Sequence, residues 1–372
     1  MPNSSTSTAS PATHVIALPR LNDAMRLLVQ GFGSPPDEVE AVVHRLVEAN
    51  LCGHDSHGIG MLPRYADAFL EGSLKPGVQV KTLLDAGTML RLDGQCGFGQ
   101  VIGQQAMALG INRARAQGSC IVALGNSHHL GRIGAWAEQA ADAGLVSLHF
   151  VNVISRGIVA PHGGSVARYG TNPFCAGVPV AGQPHVILDF ATSVIAQGKT
   201  RVAHNQGRQL PPGCVIDDQG QASQDPRWTV VPPLGALLPF GGELGEHKGW
   251  GLALVCELLG GALAAGMTQR DDSIDKRRVL NGMFSVLIDP EAIGGGQGFE
   301  QEAMAFIAWA KAGPPRAGFD GVEVAGEPER RRFAQRSAEG VPVDGTTWQE
   351  ILGAAQRLGV SPGAVAAAAG LG

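Results

Sequence analysis

Charge is scarce in this chain: Asp, Glu, Lys and Arg make up only 16% of its 372 residues, and no basic run of useful length occurs. With a net charge of -5 at pH 7 the sequence lacks the footprint of a nucleic-acid surface, so no nucleic-acid partner is expected. The six cysteines (Cys52, Cys96, Cys120, Cys175, Cys214 and Cys256) contain no C-x-x-C pair. Zinc-ribbon and thioredoxin-like readings therefore fail, and widely spread thiols suit a reducing cytosol, so a cytoplasmic location is expected. No apolar run reaches the roughly 18 residues of a membrane span, and no membrane partner is expected. Residues 1–18 read as a disordered extension, because Met1–Thr13 is rich in Ser, Thr, Ala and Pro. That stretch lacks the basic region and apolar core of a signal peptide. Internal repeats are also missing.

What the sequence does have is a turn-rich globular composition, 44% hydrophobic with 53 glycines. Its length suits two domains, or one large domain with an appended one. The most informative stretch runs from Gly53 to Tyr65 and places His54, Asp55, Ser56 and His57 ahead of Gly58 and Gly60. Short polar side chains and glycines suit a turn. A neutral imidazole can give or take a proton near physiological pH, and Ser56 or a distant carboxylate could fix its tautomer. His57 is thus a candidate acid/base, against the alternative of a polar loop whose histidines only satisfy backbone groups.

The flanking pattern is mostly helical at first. Leu21–Gln30 reads as a short amphipathic helix. A second helix starts near Ser34-Pro35-Pro36-Asp37, with Val39, Val42, Val43, Leu46, Val47 and Leu51 on one apolar face. Met61–Leu74 reads as a third. Thr88–Asp93 reads as a strand, followed by Gly97-x-Gly99-x-x-x-Gly103, a poor match to the dinucleotide fingerprint. No acidic residue ends a second strand about 20 residues further on, so these glycines serve a tight strand-to-helix entry.

Cys120–Leu124 and Leu145–Val151 read as strands around Asn126-Ser-His-His129-Leu-Gly131-Arg132-Ile-Gly134, where amides at a helix start can hold an anion. His128 and His129 are adjacent, point in different directions and make poor joint metal ligands. Val186–Ser193 reads as a strand whose Asp189 either meets a histidine from elsewhere or caps a helix starting at Val194. His247 and Lys248 open a long apolar helix, against its dipole, unless an anion binds there. Met283–Asp289 reads as a strand, Gly298–Ala312 as a helix, and a charged helix follows Gly326. The C-terminal end, Trp348–Leu358 and Pro362–Ala369, is helical.

Six motifs occur in order: Asp55–Gly58, Asn126–Gly131, Gly170–Pro173, Leu188–Ser193, His247–Gly251 and Gly326–Glu329. In these the chain resembles the type 2 malate/L-lactate dehydrogenase family, over nearly all of its length after Leu21. The resemblance implies an α/β, non-Rossmann NAD(P)-binding fold with a large mixed β-sheet flanked by helices, plus a helical domain built from both chain ends. The implied division is 19–85 with 300–372 for the helical, substrate-side domain and 86–299 for the nucleotide-binding domain. It implies NAD as cofactor, with NADP as the alternative, a small 2-oxo or 2-hydroxy acid as substrate, and a homodimer with the site near the subunit interface.

Carried over position by position, His57 matches the family's acid/base, Ser56 and Asp189 its relay partners, and His129 a second histidine assigned to catalysis in some members. Nucleotide-contacting positions match His57, Gly131, Arg132, Ile133, Ile187, Leu188, Asp189, Phe190, Ala191, His247, Lys248, Asn281, Gly326, Glu327, Pro328 and Glu329. No metal is implied.

One departure matters. Several members carry Arg where this chain has Met61, and a thioether offers a carboxylate no bidentate partner. That favours a substrate with an apolar or aromatic tail over a dicarboxylate, with Arg132, Arg168 and Arg201 left as candidates for the common carboxylate. The expected activity is NAD(P)-dependent interconversion of 2-oxo and 2-hydroxy acids. The alternatives are malate/L-lactate dehydrogenase, cyclic imine reductase, a non-catalytic nucleotide-binding module, and a metal-dependent hydrolase using His54, Asp55 and His57.

Overall fold

The computed structural model describes residues 13–270 and 279–372. The chain opens with strand β1 (His14–Ile16) and helices α1 (Leu18–Gln30), α2 (Pro36–Leu51) and α3 (Leu62–Leu70). Then come β2 (Lys81–Ala86), β3 (Met89–Asp93), α4 (Gly99–Gln117), β4 (Ser119–His128), α5 (Gly134–Ala141), β5 (Val146–Ile154), β6 (Phe174–Val178), β7 (Val186–Phe190) and α6 (Gln197–Asn205). A small excursion carries β8 (Val215–Ile216), β9 (Ala222–Ser223) and β10 (Ala236–Leu237). Helix α7 (Gly242–Cys256) continues into a π-helical segment, Glu257–Ala265. After it come β11 (Leu280–Ile288), α8 (Gly296–Lys311), α9 (Glu327–Glu339), β12 (Val341–Val343), α10 (Gly345–Arg357) and α11 (Pro362–Ala369).

The main sheet has seven strands in the order β2-β3-β4-β11-β5-β6-β7. Only β3 and β4 run parallel, and β11 lies between β4 and β5, antiparallel to both. The sheet is therefore mixed, as the resemblance implies. Its buried core joins Leu90, Leu92, Val122 and Leu124 on the strands to Ile102, Ala106 and Trp136 on α4 and α5. A separate apolar core unites α1–α3 with Trp348, Ile351, Ala354 and Val365 from the C-terminal helices. This core supports the proposed helical domain drawn from both ends. Its boundary needs moving, because β2 pairs with β3 in the main sheet.

Other expectations are corrected. His14–Ile16 is not part of a disordered extension: it pairs antiparallel with Val341–Val343, satisfying backbone groups at both chain ends. Residues 1–12 of that expected extension lie outside the described residues. The third helix ends at Leu70, and two 3-10 turns, Asp55–His57 and Ile59–Met61, precede it. The helix expected from Val194 starts at Gln197.

The apolar helix begins at Gly242, so His247 and Lys248 sit beyond its first turn and the dipole argument weakens. Its whole length, Gly242–Ala265, is long and apolar enough by composition to cross a membrane, although Lys248 and Glu257 interrupt the run. In the fold it packs on the sheet: the Glu257 carboxylate accepts from Asn172 Nδ2 at 2.6 Å and from Gln269 N at 2.6 Å.

Candidate active site

The histidine loop is built by its neighbours. Asn50, at the buried end of α2, donates Nδ2 to Asp55 at 2.7 Å and accepts from Ile59 N at 2.8 Å. Arg336 on α9 donates to the same Asp55 carboxylate at 2.7 Å. Gly58 lies against the Asn50 amide, where a Cβ would collide. Asp55 is therefore spent on the loop, and the tight turn brings His57 to the cavity wall.

His57 Nδ1 lies 3.2 Å from His129 Nε2, His129 Nδ1 lies 2.7 Å from the Tyr65 hydroxyl, and Gln100 Nε2 donates to that hydroxyl at 2.9 Å. His129 follows the end of β4, and Gln100 is on the first turn of α4. Gly99 makes this approach possible, since a Cβ there would strike the His129 carbonyl. Asn281 on β11 fixes the same loop by accepting from Leu130 N at 2.8 Å and donating to Asn152 O at 2.9 Å. Its amide is thus committed to backbone. Burial pushes both imidazole pKa values down, with His54 and Arg132 adding to the effect on His57 and Asp189 opposing it. Burial also raises the Tyr65 phenol above its ordinary value.

Neither of the relay partners read from the motifs bonds to His57 among the described residues. Asp189 Oδ2 accepts from Gly134 N at 2.7 Å, holding the start of α5, and acts on His57 only through its charge. Ser56 packs against Gly198, where a Cβ would crowd it. Tyr65 and Gln100, which complete the observed chain, were missed. Tyr65 is one of only two tyrosines and lies eight residues after His57, in the first turn of α3, which was the available signal.

Three openings meet here. A cavity of about 960 Å³ is lined by His57, Ser56, Gly131, Ile133, Asp189, Phe190, Ala191 and Glu329. A shallower one of about 240 Å³ adjoins it through His54, Asp189 and Glu329, and is lined by Arg132, Ile187, Leu188, Gly326 and Pro328. The backbone bond from Ile187 N to Ala325 O, 3.2 Å, brings these two motif stretches together. On the other side of His57, a cavity of about 610 Å³ is lined by His129, Met61, Arg64, Arg156, Arg201 and Asn281.

The remaining expected residues lie elsewhere. Glu327 pairs with Lys311 and accepts from Val324 N at 2.9 Å, and lines none of these cavities. His247 and Lys248 are exposed on α7 and line none either. Among the described residues no group of three or more His, Cys, Asp or Glu side chains gathers as a metal set.

The larger cavity suits a dinucleotide. It offers apolar walls (Phe190, Ile195 and Phe240) and cations (Lys199, Arg208 and Arg332) that match flat rings joined by a pyrophosphate. The larger lobe and a smaller cationic lobe meet at the His57 imidazole. The malate/L-lactate dehydrogenase family model matches residues 16–352, and the chain belongs to that family.

Hydroxycarboxylate dehydrogenase B of Escherichia coli is 43% identical over 342 residues, covering 91% of this chain and 93% of that protein. L-lactate dehydrogenase of Cupriavidus necator is 40% identical, covering 88% and 93%. A solved E. coli chain described as a candidate malate/lactate dehydrogenase superposes with a TM-score of 0.91 at 41% identity, covering 95% of this chain and 98% of that one. The chain is thus an enzyme of the 2-hydroxycarboxylate dehydrogenase class.

Proposed function

We propose that the chain interconverts 2-oxo and 2-hydroxy acids with His57 as the acid/base, held in one tautomer by His129, Tyr65 and Gln100. The observation that carries this reading is the hydrogen-bonded chain ending at His57. Gln100 donates to the Tyr65 oxygen, the Tyr65 hydroxyl donates to His129 Nδ1, and His129 Nε2–H donates to His57 Nδ1. That order of donors makes His57 Nε2 the N–H donor toward the cavity, and Nε2 has no protein partner among the described residues.

The bound nicotinamide supplies or accepts the hydride. In reduction His57 gives its Nε2 proton to the developing alkoxide while its Nδ1 takes the His129 Nε2 proton and His129 Nδ1 takes the Tyr65 phenol proton; in oxidation the three shifts reverse and Nε2 takes the hydroxyl proton. Its lowered pKa keeps it a neutral imidazole, able to pass protons in either direction along the chain, well into the acid range. The dinucleotide would lie along Phe190, Ala191 and Glu329 in the large cavity.

NAD is the cofactor we favour over NADP. Glu138, Asp189, Glu323 and Glu329 line the adjoining cavity, where Arg132 is already paired with Glu138. Such a surface repels an extra phosphate. A homodimer is supported by the apolar outer face of α7 and its π extension, where Leu258 is 49% and Leu263 57% exposed. Sedimentation analysis tests it. The six free thiols support a reducing, cytoplasmic setting. The activity is tested by following NADH and NADPH oxidation with a panel of 2-oxo acids. Failure of every 2-oxo acid with both cofactors overturns the reading.

A further inference from the structure

Among the described residues four non-glycine positions adopt a positive φ, and three of them meet at one place: Gln95 (52°), Cys96 (60°) and Asn126 (53°). Left-handed backbone under a side chain is held by its surroundings and clusters at functional sites. Here it marks a β-bulge. Leu124 pairs with Met283 and Ser127 with Asn281, so Gly125 and Asn126 together oppose the single residue Gly282. On its other edge β11 keeps an unbroken register with β5.

The bulge is bonded from outside the ladder. Gly94 N donates to Gly125 O at 2.8 Å and Cys96 N to Asn126 O at 2.7 Å. One oxygen of Asp93 accepts from Gln95 N at 2.9 Å and from Asn126 Nδ2 at 3.3 Å. On the opposite side a Cβ on Gly125 would lie 2.9 Å from Ala265 Cα, so the π-helical segment closes that face.

The extra residue decides which way the end of β4 faces. Side chains alternate along a strand, and directly opposed residues share a face. Leu124, Met283 and Val151 stand on the face that carries the buried core of the sheet. Asn281 and Val153 stand on it too, where it opens into the cavity of about 610 Å³. Counting in twos from Leu124, Ser127 and His129 would fall on the other face, against the π-helical segment. The bulge adds one residue, so Ser127 lies opposite Asn281 and His129 follows on the cavity side. There His129 Nε2 lies 3.2 Å from His57 Nδ1. Asn126 itself lines none of the cavities around His57.

We infer that Asn126 is a positioning residue for the reaction: by holding left-handed backbone, with Asp93 accepting from its amide, it turns His129 toward His57. This rests on the reading of His57 as the acid/base with His129 as its donor. Glycine also adopts this conformation without cost, whereas a β-branched residue resists it. Valine at position 126 favours regular extended pairing, which removes the bulge and carries His129 off the cavity face.

The test starts with pyruvate, oxaloacetate, 2-oxoglutarate and phenylpyruvate, with NADH and NADPH. The hydroxy acid matching the fastest of these is then oxidised across a range of pH by the natural enzyme, Asn126→Val and Asn126→Gly. Asn126→Val should lower kcat about ten-fold or more, with NADH affinity by fluorescence titration changed by less than about three-fold. Its acid limb should rise toward pH 6.5, because His57 loses the donor that favours its neutral form. The charges of His54, Arg132 and Asp189, which also act on His57, stay in place. Asn126→Gly should keep kcat within about three-fold of the natural enzyme and leave the limb unmoved. A merely structural defect lowers the amount of folded enzyme and does not move the limb.

A folded Asn126→Val with the natural limb overturns the proposal, and so does an Asn126→Gly as impaired as Asn126→Val. If Asn126→Val does not fold, Asp93→Ala decides. It frees the Asn126 amide and Gln95 N, and should move the limb in the same direction by less; an unmoved limb overturns the proposal. Turnover by the natural enzyme with unmoved limbs in the variants removes the positioning role alone. A natural enzyme that reduces none of the four 2-oxo acids removes the reading of His57, and the positioning role with it.

Discussion

Two histidines, His149 buried in the main sheet and His57 half-buried on the turn after α2, show what separates a closed imidazole from one open to a ligand. His149 on β5 has both ring nitrogens engaged, Nδ1 with Ser285 Oγ at 2.8 Å and Nε2 with Ser147 Oγ at 3.0 Å. Nothing remains for a ligand. His57 has only Nδ1 engaged, and its other nitrogen borders the cavities. Both sit in surroundings that disfavour charge: burial pushes His149 down to about 3 and His57 well below its ordinary value. A depressed pKa therefore does not identify a catalytic residue. What sets His57 apart is a ring nitrogen left open at a cavity wall.

The sharpest test of this contrast is His57→Ala. Turnover should fall roughly 100- to 10,000-fold, while NADH affinity measured by fluorescence titration changes little. His149→Ala should do the reverse. It strands two serine hydroxyls and opens a void, so the melting temperature should drop by an amount equivalent to about 1–3 kcal/mol, with kcat of the folded protein retained. Comparable losses of kcat in both variants would break the distinction.

Tyr65→Phe should cost less, about ten-fold in kcat, because His129 keeps its place but loses the donor that fixes its tautomer. The pH profile is the deciding readout. In hydroxy-acid oxidation by the natural enzyme the acid limb should lie below pH 6.5, since burial lowers the pKa of the base. Tyr65→Phe should move that limb, whereas a purely structural loss would scale the profile without shifting it.

The smallest effect concerns stability against acid. His128 and His149 are both pushed down to about 3 by burial, from 6.5. Below pH 6.5 the unfolded chain binds these protons first, so the associated stability is present above that pH and is lost as pH falls toward 3. The melting temperature should fall between pH 7 and pH 5, and less steeply in His149→Gln, which has no proton to gain. An equal slope would show that other groups control acid unfolding.

The helical half of the fold was legible because Val39, Val42, Val43, Leu46 and Val47 repeat at helical spacing and all are buried. Strand β2 was not, since Lys81–Ala86 is an edge strand with mostly exposed residues. The candidate acid/base His57 could be read from the composition of its turn and its family motif. The partners could not, because Tyr65 and Gln100 reach His129 through folding that brings three separate segments together. The partner of Asp189 was hidden for the same reason. It lies at the end of an apolar strand, and its carboxylate accepts from Gly134 N.

The place of β11 in the sheet sets the order in which the site can be made. It lies between β4 and β5 but is encoded more than 120 residues after either, with Leu280 opposite both His128 and Ile154. As the chain leaves the ribosome, β4 and β5 must wait with open edges until residues 280–288 arrive, a long-range closure of the kind that slows folding and exposes chains to aggregation. The same strand brings Asn281, whose amide holds Leu130 and with it the loop bearing His129. A nascent chain stopped short of Leu280 carries His57, His129 and Tyr65 but lacks the strand that fixes them in line.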